Sequence, residues 1–197
     1  MILRVPLVLA SASPRRSSLL DAMGLNPLVQ SADVDETPLP DEDPSTMAER
    51  LAKAKAESVA EDHPEALVLG SDTTVVLDGS ILGKPDTEQE AVSMLSSLSN
   101  RSHTVISSLA LVHTESKRSF VASERTTVFF DALTPEQIQR YVASGSPMDK
   151  AGAYGIQDDQ GAFFVRRIEG DYYTVMGLPL NLFHRMVVRF YSDLAQS

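Results

Sequence analysis

Residues 5–24 read VPLVLASASPRRSSLLDAMG, an apolar run followed by serines, arginines and a second apolar pattern. The run Val5–Ala10 predicts a short buried strand, and the apolar spacing over Arg15–Met23 predicts a helix. Ser13 suits the N-cap of that helix, and Gly24 suits its C-terminal stop. The stretch therefore predicts a strand, a turn and a helix in direct succession, which is the building unit of α/β proteins.

The same patterns alternate through the rest of the chain. Asp78-Gly79 is a strong hairpin signal between two apolar runs. Periodicity and capping residues predict further helices at about residues 43–60, 87–98, 134–145 and 180–194, and strands at about 67–77, 80–82, 103–113, 120–130 and 162–168. The sequence thus predicts an α/β fold with a mixed sheet flanked by helices, in a single domain over residues 1–197.

The chain is acidic and contains no cysteine. It has 17 Lys and Arg against 27 Asp and Glu, a formal net charge of −10, so we expect no duplex nucleic acid and no anionic membrane as partner. The lack of cysteine excludes disulfides, thiolate zinc sites and a cysteine nucleophile. The N-terminal apolar run is interrupted by Pro6 and is too short for a bilayer span, so we expect a cytoplasmic protein.

The turn after the first predicted strand carries the residue types of an anion site. Ser11 and Ser13 precede a helix N-terminus, where backbone N–H groups and the helix dipole attract anions. Arg15 and Arg16 stand side by side in the first turn, where the dipole disfavours cations. One such arginine would suggest only a capped helix with a solvated side chain. For the pair, a bound phosphate is the better interpretation.

An acid and several hydroxyls interrupt the predicted strand at residues 67–77. Asp72 lies between Ser71 and Thr73 in otherwise apolar surroundings, and a buried carboxylate needs a cation or donors beside it. A metal ligand or general base fits, and a structural carboxylate that caps a loop fits equally well. The loop over residues 31–43 holds six further acids, Glu36 among them, and for most of these a solvated surface is the simplest interpretation.

Two further segments offer cations near glycines. Residues 79–85 read GSILGKP, which lacks the spacing and the Ser or Thr of a P-loop, but leaves Lys84 at a bend as a point charge for a phosphate. Residues 149–157 read DKAGAYGIQ, where glycines allow close approach of a ligand, Lys150 adds a charge and Gln157 an amide that can read a base edge. The four histidines show no metal-ligand spacing and are expected at the surface.

Taken together, these segments resemble the Maf family of nucleoside triphosphate pyrophosphatases. The similar stretches follow the family order over most of the chain: residues 9–16, 34–36, 53–56, 70–73, 83–85, 149–157 and 177–179. Ser71 stands where many members have alanine, a small departure from the family pattern.

The resemblance implies hydrolysis of a nucleoside triphosphate to the monophosphate and pyrophosphate with a divalent cation, Mg²⁺ or Mn²⁺. It also implies an elongated α/β fold, similar to that of inosine triphosphatase, that forms a homodimer, and a house-cleaning role in nucleotide metabolism. By the resemblance, Asp72 is the proton acceptor and Glu36 a functional acid at the metal, with Asp72 a second candidate ligand. The resemblance also implies that a set of polar residues binds the triphosphate and takes part in catalysis: Ser11, Arg16, Lys55 and Lys84.

Three positions bear on which nucleobase the substrate carries. Arg15, Thr73 and Gln157 resemble the subgroup that hydrolyses dTTP and UTP, whereas the 7-methyl-GTP subgroup carries different side chains. From the residues, a metal ion and five cations would neutralise the phosphates: Arg15, Arg16, Lys55, Lys84 and Lys150. The sequence leaves open which carboxylate, Asp72 or Glu36, is the general base that activates the water. It also leaves open a non-catalytic nucleotide-binding regulator of cell division and a pyrophosphatase directed at a purine or 7-methyl-GTP.

Overall fold

The computed structural model describes residues 3–158 and 160–194. In these ranges seven strands follow one another in chain order: β1 (Leu7–Ala10), β2 (Leu28–Gln30), β3 (Leu67–Leu77), β4 (Ser80–Leu82), β5 (Ser102–His113), β6 (Arg118–Phe130) and β7 (Val165–Glu169). The α-helices are α1 (Pro14–Ala22), α2 (Pro44–Ala60), α3 (Glu88–Leu98), α4 (Pro135–Ala143), α5 (Tyr172–Met176) and α6 (Leu180–Leu194). Short 3-10 helices cover Ser146–Asp149, Ala151–Ala153 and Gly161–Phe164.

All seven strands belong to one sheet. Their order is β2-β1-β3-β5-β6-β7, and β4 pairs with β3 off this path. β1 is parallel to β2 and β3, whereas the β3–β4 and β6–β7 pairs are antiparallel. The predicted α/β class with a mixed sheet is therefore confirmed. Because Ala10 pairs with Gly70, the residues that follow each of them emerge side by side.

The chain divides into two compact units. The first contains Met1–Asp72, Ser107–Glu124 and Gly177–Ser197, and the second contains Thr73–Ile106 and Arg125–Met176. Strands β3, β5 and β6 contribute residues to both units. That these units act as a single functional domain stays a prediction.

The core of the first unit follows from the alternation of side chains along β1 and β3. Leu7, Leu9, Leu67 and Leu69 join a cluster that contains Phe183 and its neighbours on α6, all buried. The intervening residues join a second cluster with small side chains of α2, which contains Val8, Ala10, Val68, Ala52 and Ala56. Helices therefore cover both faces of these strands, which explains why β1 is apolar at every position.

Aromatic side chains form the core of the second unit. Phe130, Tyr141, Tyr154 and Phe164 are all at most 5% exposed and meet edge to face or tilted, with ring centroids 4.8 to 6.2 Å apart. They pack with the apolar faces of α3 and α4, including Leu95. The Asp78-Gly79 turn has positive φ at both residues, 51° and 81°, as the hairpin signal required.

Several boundaries differ from the sequence prediction. β1 begins at Leu7, after Pro6, because proline has no N–H for the strand ladder. The short edge strand β2 was not predicted, since three residues are too few to show a periodicity. The prediction of a strand from Ala162 is wrong for its first three residues, which lie in the 3-10 helix Gly161–Phe164. There the Val165 N–H donates to the Ala162 carbonyl and closes a turn before β7 starts.

The surface prediction for the histidines is wrong for two of them. His103 and His113 are only 3% and 6% exposed. The ring nitrogen Nε2 of His103 contacts the Tyr154 hydroxyl at 2.7 Å, and Nδ1 of His113 contacts the Ser116 hydroxyl at 2.9 Å. Both lie on β5, where nearly every residue is buried. No helix among residues 3–158 and 160–194 is long and apolar enough to cross a membrane.

Candidate active site

A lysine between two carboxylates lies at the centre of the polar side chains in the first unit. Lys55 Nζ on α2 is 2.7 Å from Oδ1 of Asp72 on β3 and 2.7 Å from Oε1 of Glu36, which lies in the loop after β2. The side chains of Lys55 and Asp72 are each 11% exposed, whereas that of Glu36 is 59% exposed. The structure thus brings together three predicted site residues that are up to 36 positions apart in the sequence.

A close approach of α2 to β3 positions this trio. A Cβ at Gly70 would overlap the Ala52 carbonyl oxygen and lie within 2.9 Å of the Ala56 side chain, so only glycine lets the helix backbone come this near. Asp72 follows Gly70 by two residues and so projects from the same face of the strand. Asp43 is the N-cap of α2, and its carboxylate accepts from the backbone N–H groups of Ser45 and Thr46. Because α2 approaches β3 so closely at Gly70, Lys55 on the helix lies beside Asp72 on the strand.

Arg16 joins three segments of the first unit at the same end of β3. Its Nε donates to the Gly177 carbonyl at 2.9 Å, and its Nη1 donates to the Ser71 carbonyl at 2.9 Å and to Ser11 Oγ at 3.1 Å. The Ser71 hydroxyl donates to the same Gly177 carbonyl at 3.1 Å. Ser11 Oγ also accepts from the Ser13 N–H, whereas the Ser13 side chain makes no capping hydrogen bond to α1.

The electrostatics around Arg16 reflect its burial. Removal from water lowers the pKa of the Arg16 guanidinium, and the negative charges of Asp72 and Glu36 oppose that change while neighbouring Arg15 adds to it. Arg16 is therefore within electrostatic range of both carboxylates of the trio. Ser11, Arg16, Glu36, Lys55 and Asp72 form one polar group in the first unit.

The trio has the composition of a site for a divalent cation held together with phosphate oxygens. Mg²⁺ is commonly bound by one or two carboxylates plus substrate phosphates and water. Glu36 and Asp72 both reach a single ammonium, so their oxygens converge on one locus. Among the residues that the structure describes, no group of three or more His, Cys, Asp or Glu is arranged to hold a metal. The two carboxylates, Glu36 and Asp72, are the residues that fit such a cation.

Of the other predicted site residues, one belongs to the first unit and four belong to the second. Arg15 is half-buried in the first turn of α1, and Thr73, Lys84, Lys150 and Gln157 belong to the second unit. Lys84 is exposed next to Gly83, whose carbonyl accepts from the Gly152 N–H at 3.0 Å. The bend at Lys84 is thus tied to the glycine-rich segment, and the substrate-binding roles of these residues stay predictions.

Lys150 lies in a network that the sequence did not reveal. It is 8% exposed, and its Nζ contacts Oδ1 of Asp149 at 2.8 Å and Oδ2 of Asp158 at 3.3 Å. Asp158 Oδ2 also accepts from the hydroxyls of Tyr141 at 2.8 Å and Ser146 at 2.6 Å. No sequence pattern singles out Asp158 or Tyr141, because one lies in an irregular turn and the other reads as an ordinary core position of α4.

The comparison with known proteins decides the family. A family model described as Maf-like protein matches residues 6–190, nearly the whole chain. The chain belongs to the Maf-like protein family. This Maf-like chain is 47% identical to a protein named dTTP/UTP pyrophosphatase from Salinibacter ruber, over 99% of this chain and 96% of that protein.

Other relatives carry the same name. A dTTP/UTP pyrophosphatase from Moorella thermoacetica is 48% identical over 95% of this chain and 96% of its own length. Among solved structures, a HAM1 protein from Coxiella burnetii aligns with 98% of this Maf-like chain and 100% of its own, at 14% identity and a TM-score of 0.47.

Proposed function

We propose that this Maf-like protein is a pyrophosphatase that hydrolyses dTTP and UTP to the nucleoside monophosphate and pyrophosphate. The observation that carries the proposal is the Glu36–Lys55–Asp72 trio, which combines two carboxylates with a buried cation beside the Arg16 cluster. The names of the relatives at 47% and 48% identity support the substrate class. Attack of water on the α-phosphorus accounts for both products.

In this mechanism, the carboxylates and the cations have separate tasks. Asp72 accepts a proton from the attacking water, and Glu36 shares with it the binding of the divalent cation; the reverse division is the alternative. That cation, Mg²⁺ or Mn²⁺, supplies positive charge to the phosphate oxygens when bound. Lys55 holds both carboxylates in place by its two 2.7 Å contacts. Arg15, Arg16 and Lys84 offset the charge of the triphosphate and of the leaving pyrophosphate.

The side chains at three positions select the nucleobase of the substrate. We assign this selection to Arg15, Thr73 and Gln157, in line with the resemblance to the dTTP/UTP subgroup. An amide such as that of Gln157 both donates and accepts, as the edge of thymine or uracil requires. Substitution of Arg15 or Gln157 should therefore change the ratio of kcat/KM values between nucleotides more than it changes the melting temperature. Equal losses on every nucleotide would refute the assignment.

The proposal extends to the state in which the enzyme works. We expect a homodimer in the cytoplasm, as the resemblance implies. Light scattering coupled to size-exclusion chromatography gives the mass directly: about twice the 21.4 kDa of the chain supports the dimer, and a single-chain mass contradicts it.

A substrate panel tests the proposed function. Purified protein with Mg²⁺ is incubated with dTTP, UTP, CTP, GTP and 7-methyl-GTP, and pyrophosphate is measured, with EDTA as the metal-free control. We expect release from dTTP and UTP, abolished by EDTA. Pyrophosphate release chiefly from GTP or 7-methyl-GTP would show that the substrate is a purine nucleotide and not dTTP or UTP. Tight nucleotide binding without pyrophosphate release from any triphosphate would instead indicate a regulator without catalysis.

A further inference from the structure

The ammonium of Lys150 contacts oxygen atoms of its own unit, the second. It donates to the Ser146 carbonyl and contacts the carboxylates of Asp149 at 2.8 Å and Asp158 at 3.3 Å. An ammonium has three protons to donate, so these contacts account for its donor capacity. One positive and two negative charges leave this cluster with a formal charge of −1. A triphosphate gains little from such a cluster, because the carboxylates repel it.

Asp158 joins the turn of residues 155–158 to helix α4. Its Oδ2 accepts from the Tyr141 hydroxyl at 2.8 Å and from the Ser146 hydroxyl at 2.6 Å, in addition to its contact with Lys150. The Tyr141 oxygen in turn accepts from the backbone N–H of Gly155 at 3.1 Å. Both ends of the turn are thus fixed to one tyrosine, whose pKa is raised by burial and by its bond to Asp158.

The side chains of Asp158 and Lys150 pack closely against Gly155 in this turn. A Cβ at Gly155 would lie 2.7 Å from Asp158 Oδ2 and 2.8 Å from Lys150 Cε. The Asp158 backbone N–H also donates to the Gly155 carbonyl at 3.2 Å. Gln157 lies between these two anchored residues. Its backbone position is therefore set by the network and not by its own contacts alone.

We propose that Tyr141, Lys150 and Asp158 form a latch that holds Gln157 in the position where it selects the base, and that Lys150 does not bind the triphosphate. The inference rests on the proposed function, since it assigns positioning residues to the same reaction. Lys150 then acts through Asp158 and Gln157. This role differs from the one that the sequence suggested for Lys150.

Two probes separate a latch from a phosphate ligand. Inorganic tripolyphosphate has the charge of the substrate but no base, so its inhibition constant reports phosphate binding alone. The ratio of kcat/KM for dTTP to that for CTP reports base selection. Both are measured for the full-length wild type and for three variants: Tyr141→Phe, Asp158→Asn and Lys150→Met.

For the latch, we expect the dTTP/CTP ratio to fall at least fivefold in all three variants, through a higher KM for dTTP with kcat within twofold of the wild type. Tripolyphosphate should inhibit every variant with a constant within twofold of the wild type. Tyr141→Phe keeps the ring that meets Phe164 at a centroid distance of 5.1 Å, so it should fold even where Lys150→Met does not. Tyr154→Phe is the matched control, because it removes another buried hydroxyl, which contacts His103.

Each result has a definite meaning. A tenfold weaker inhibition by tripolyphosphate in Lys150→Met would overturn the inference and make Lys150 a phosphate ligand. An unchanged dTTP/CTP ratio in Tyr141→Phe, or an equal change in Tyr154→Phe, would overturn the latch while leaving the proposed function intact. If the wild type releases no pyrophosphate from any triphosphate, the proposed function fails first and the inference fails with it.

Discussion

Lys55 Nζ lies 2.7 Å from Oδ1 of Asp72, and both side chains are almost entirely removed from solvent. Glu36 reaches the same ammonium from a more exposed position. The three groups carry a formal charge of −1, so Glu36 and Asp72 are the residues that would hold a divalent cation, which would supply positive charge for phosphate oxygens. Lys55 therefore stabilises the buried carboxylate of Asp72.

Asp72→Asn should fold and lose most of its turnover. The amide keeps the shape of the side chain but neither accepts the proton of the water nor binds a cation as a carboxylate does. We expect kcat for dTTP to fall about 100-fold or more, the range for loss of a positioned acid or base. The loss of stability should be smaller than that of Lys55→Met, because Lys55 keeps its 2.7 Å contact with Glu36. The exposed Asp21→Asn is the control, and an Asp72→Asn enzyme with wild-type kcat would remove Asp72 from the mechanism.

Lys55→Met should destabilise the protein as well as slow it. Loss of the ammonium leaves the buried carboxylate of Asp72 without the partner that it has at 2.7 Å. We expect the free energy of unfolding to drop by about 3 kcal/mol in urea denaturation. Lys53→Met on the same helix is the control, because Lys53 pairs with Glu57 at 3.6 Å on the surface, and its loss should cost less than about 0.5 kcal/mol. Equal effects of the two variants would contradict the importance of the buried pair.

Gly70→Ala should disrupt the contact between α2 and β3. The added methyl group would overlap the Ala52 carbonyl and Ala56, both parts of a helix backbone that cannot move alone. We expect a loss of about 4 kcal/mol or more, or no folded protein. At Gly83 a Cβ meets nothing within 4 Å, so Gly83→Ala should change stability by less than about 0.5 kcal/mol. Similar melting temperatures for both variants would refute this account.

His103 should make the protein less stable as the pH falls below neutral. Burial lowers the pKa of His103 to about 4 from an ordinary value of 6.5. Between these values the unfolded chain binds the proton and the folded chain does not, so stability is present above pH 6.5 and is lost as the pH falls toward 4. The buried Nδ1 has no hydrogen-bond partner within residues 3–158 and 160–194.

The measurement is the free energy of unfolding at pH 7 and pH 5. The wild type should lose about 2 kcal/mol more than His103→Gln between these pH values, by proton linkage. His184 is exposed, so His184→Gln should keep the wild-type difference. A His103→Gln protein with the wild-type pH dependence would show that another group causes the effect.

The sequence predicted the local structure well where short patterns determine it. The Thr134 capping box forms with both of its hydrogen bonds, and the Asp78-Gly79 turn has the backbone that such a hairpin needs. The β1–α1 unit follows the order that the apolar runs predicted, because each element there is fixed by neighbouring residues. β2 and the turn at Gly161–Phe164 were missed, because their form depends on pairing and packing with distant segments.

The candidate site was predictable in residue types and not in contacts. Resemblance to the Maf family named Glu36, Lys55 and Asp72, yet no spacing in the sequence reveals that one ammonium contacts both carboxylates. Likewise, the contact of Lys150 with Asp158 was not predictable, because Asp158 is eight residues away in an irregular turn, outside any helical or strand periodicity. Such contacts arise only when tertiary packing brings the segments together.

The most direct test of the central claim is the fate of the water oxygen. dTTP is hydrolysed in water enriched in ¹⁸O, and the products are analysed by mass spectrometry, with Asp72→Asn as the background. Attack on the α-phosphorus predicts one ¹⁸O in the thymidine monophosphate and none in the pyrophosphate. Label in pyrophosphate, or in released orthophosphate, would contradict the mechanism.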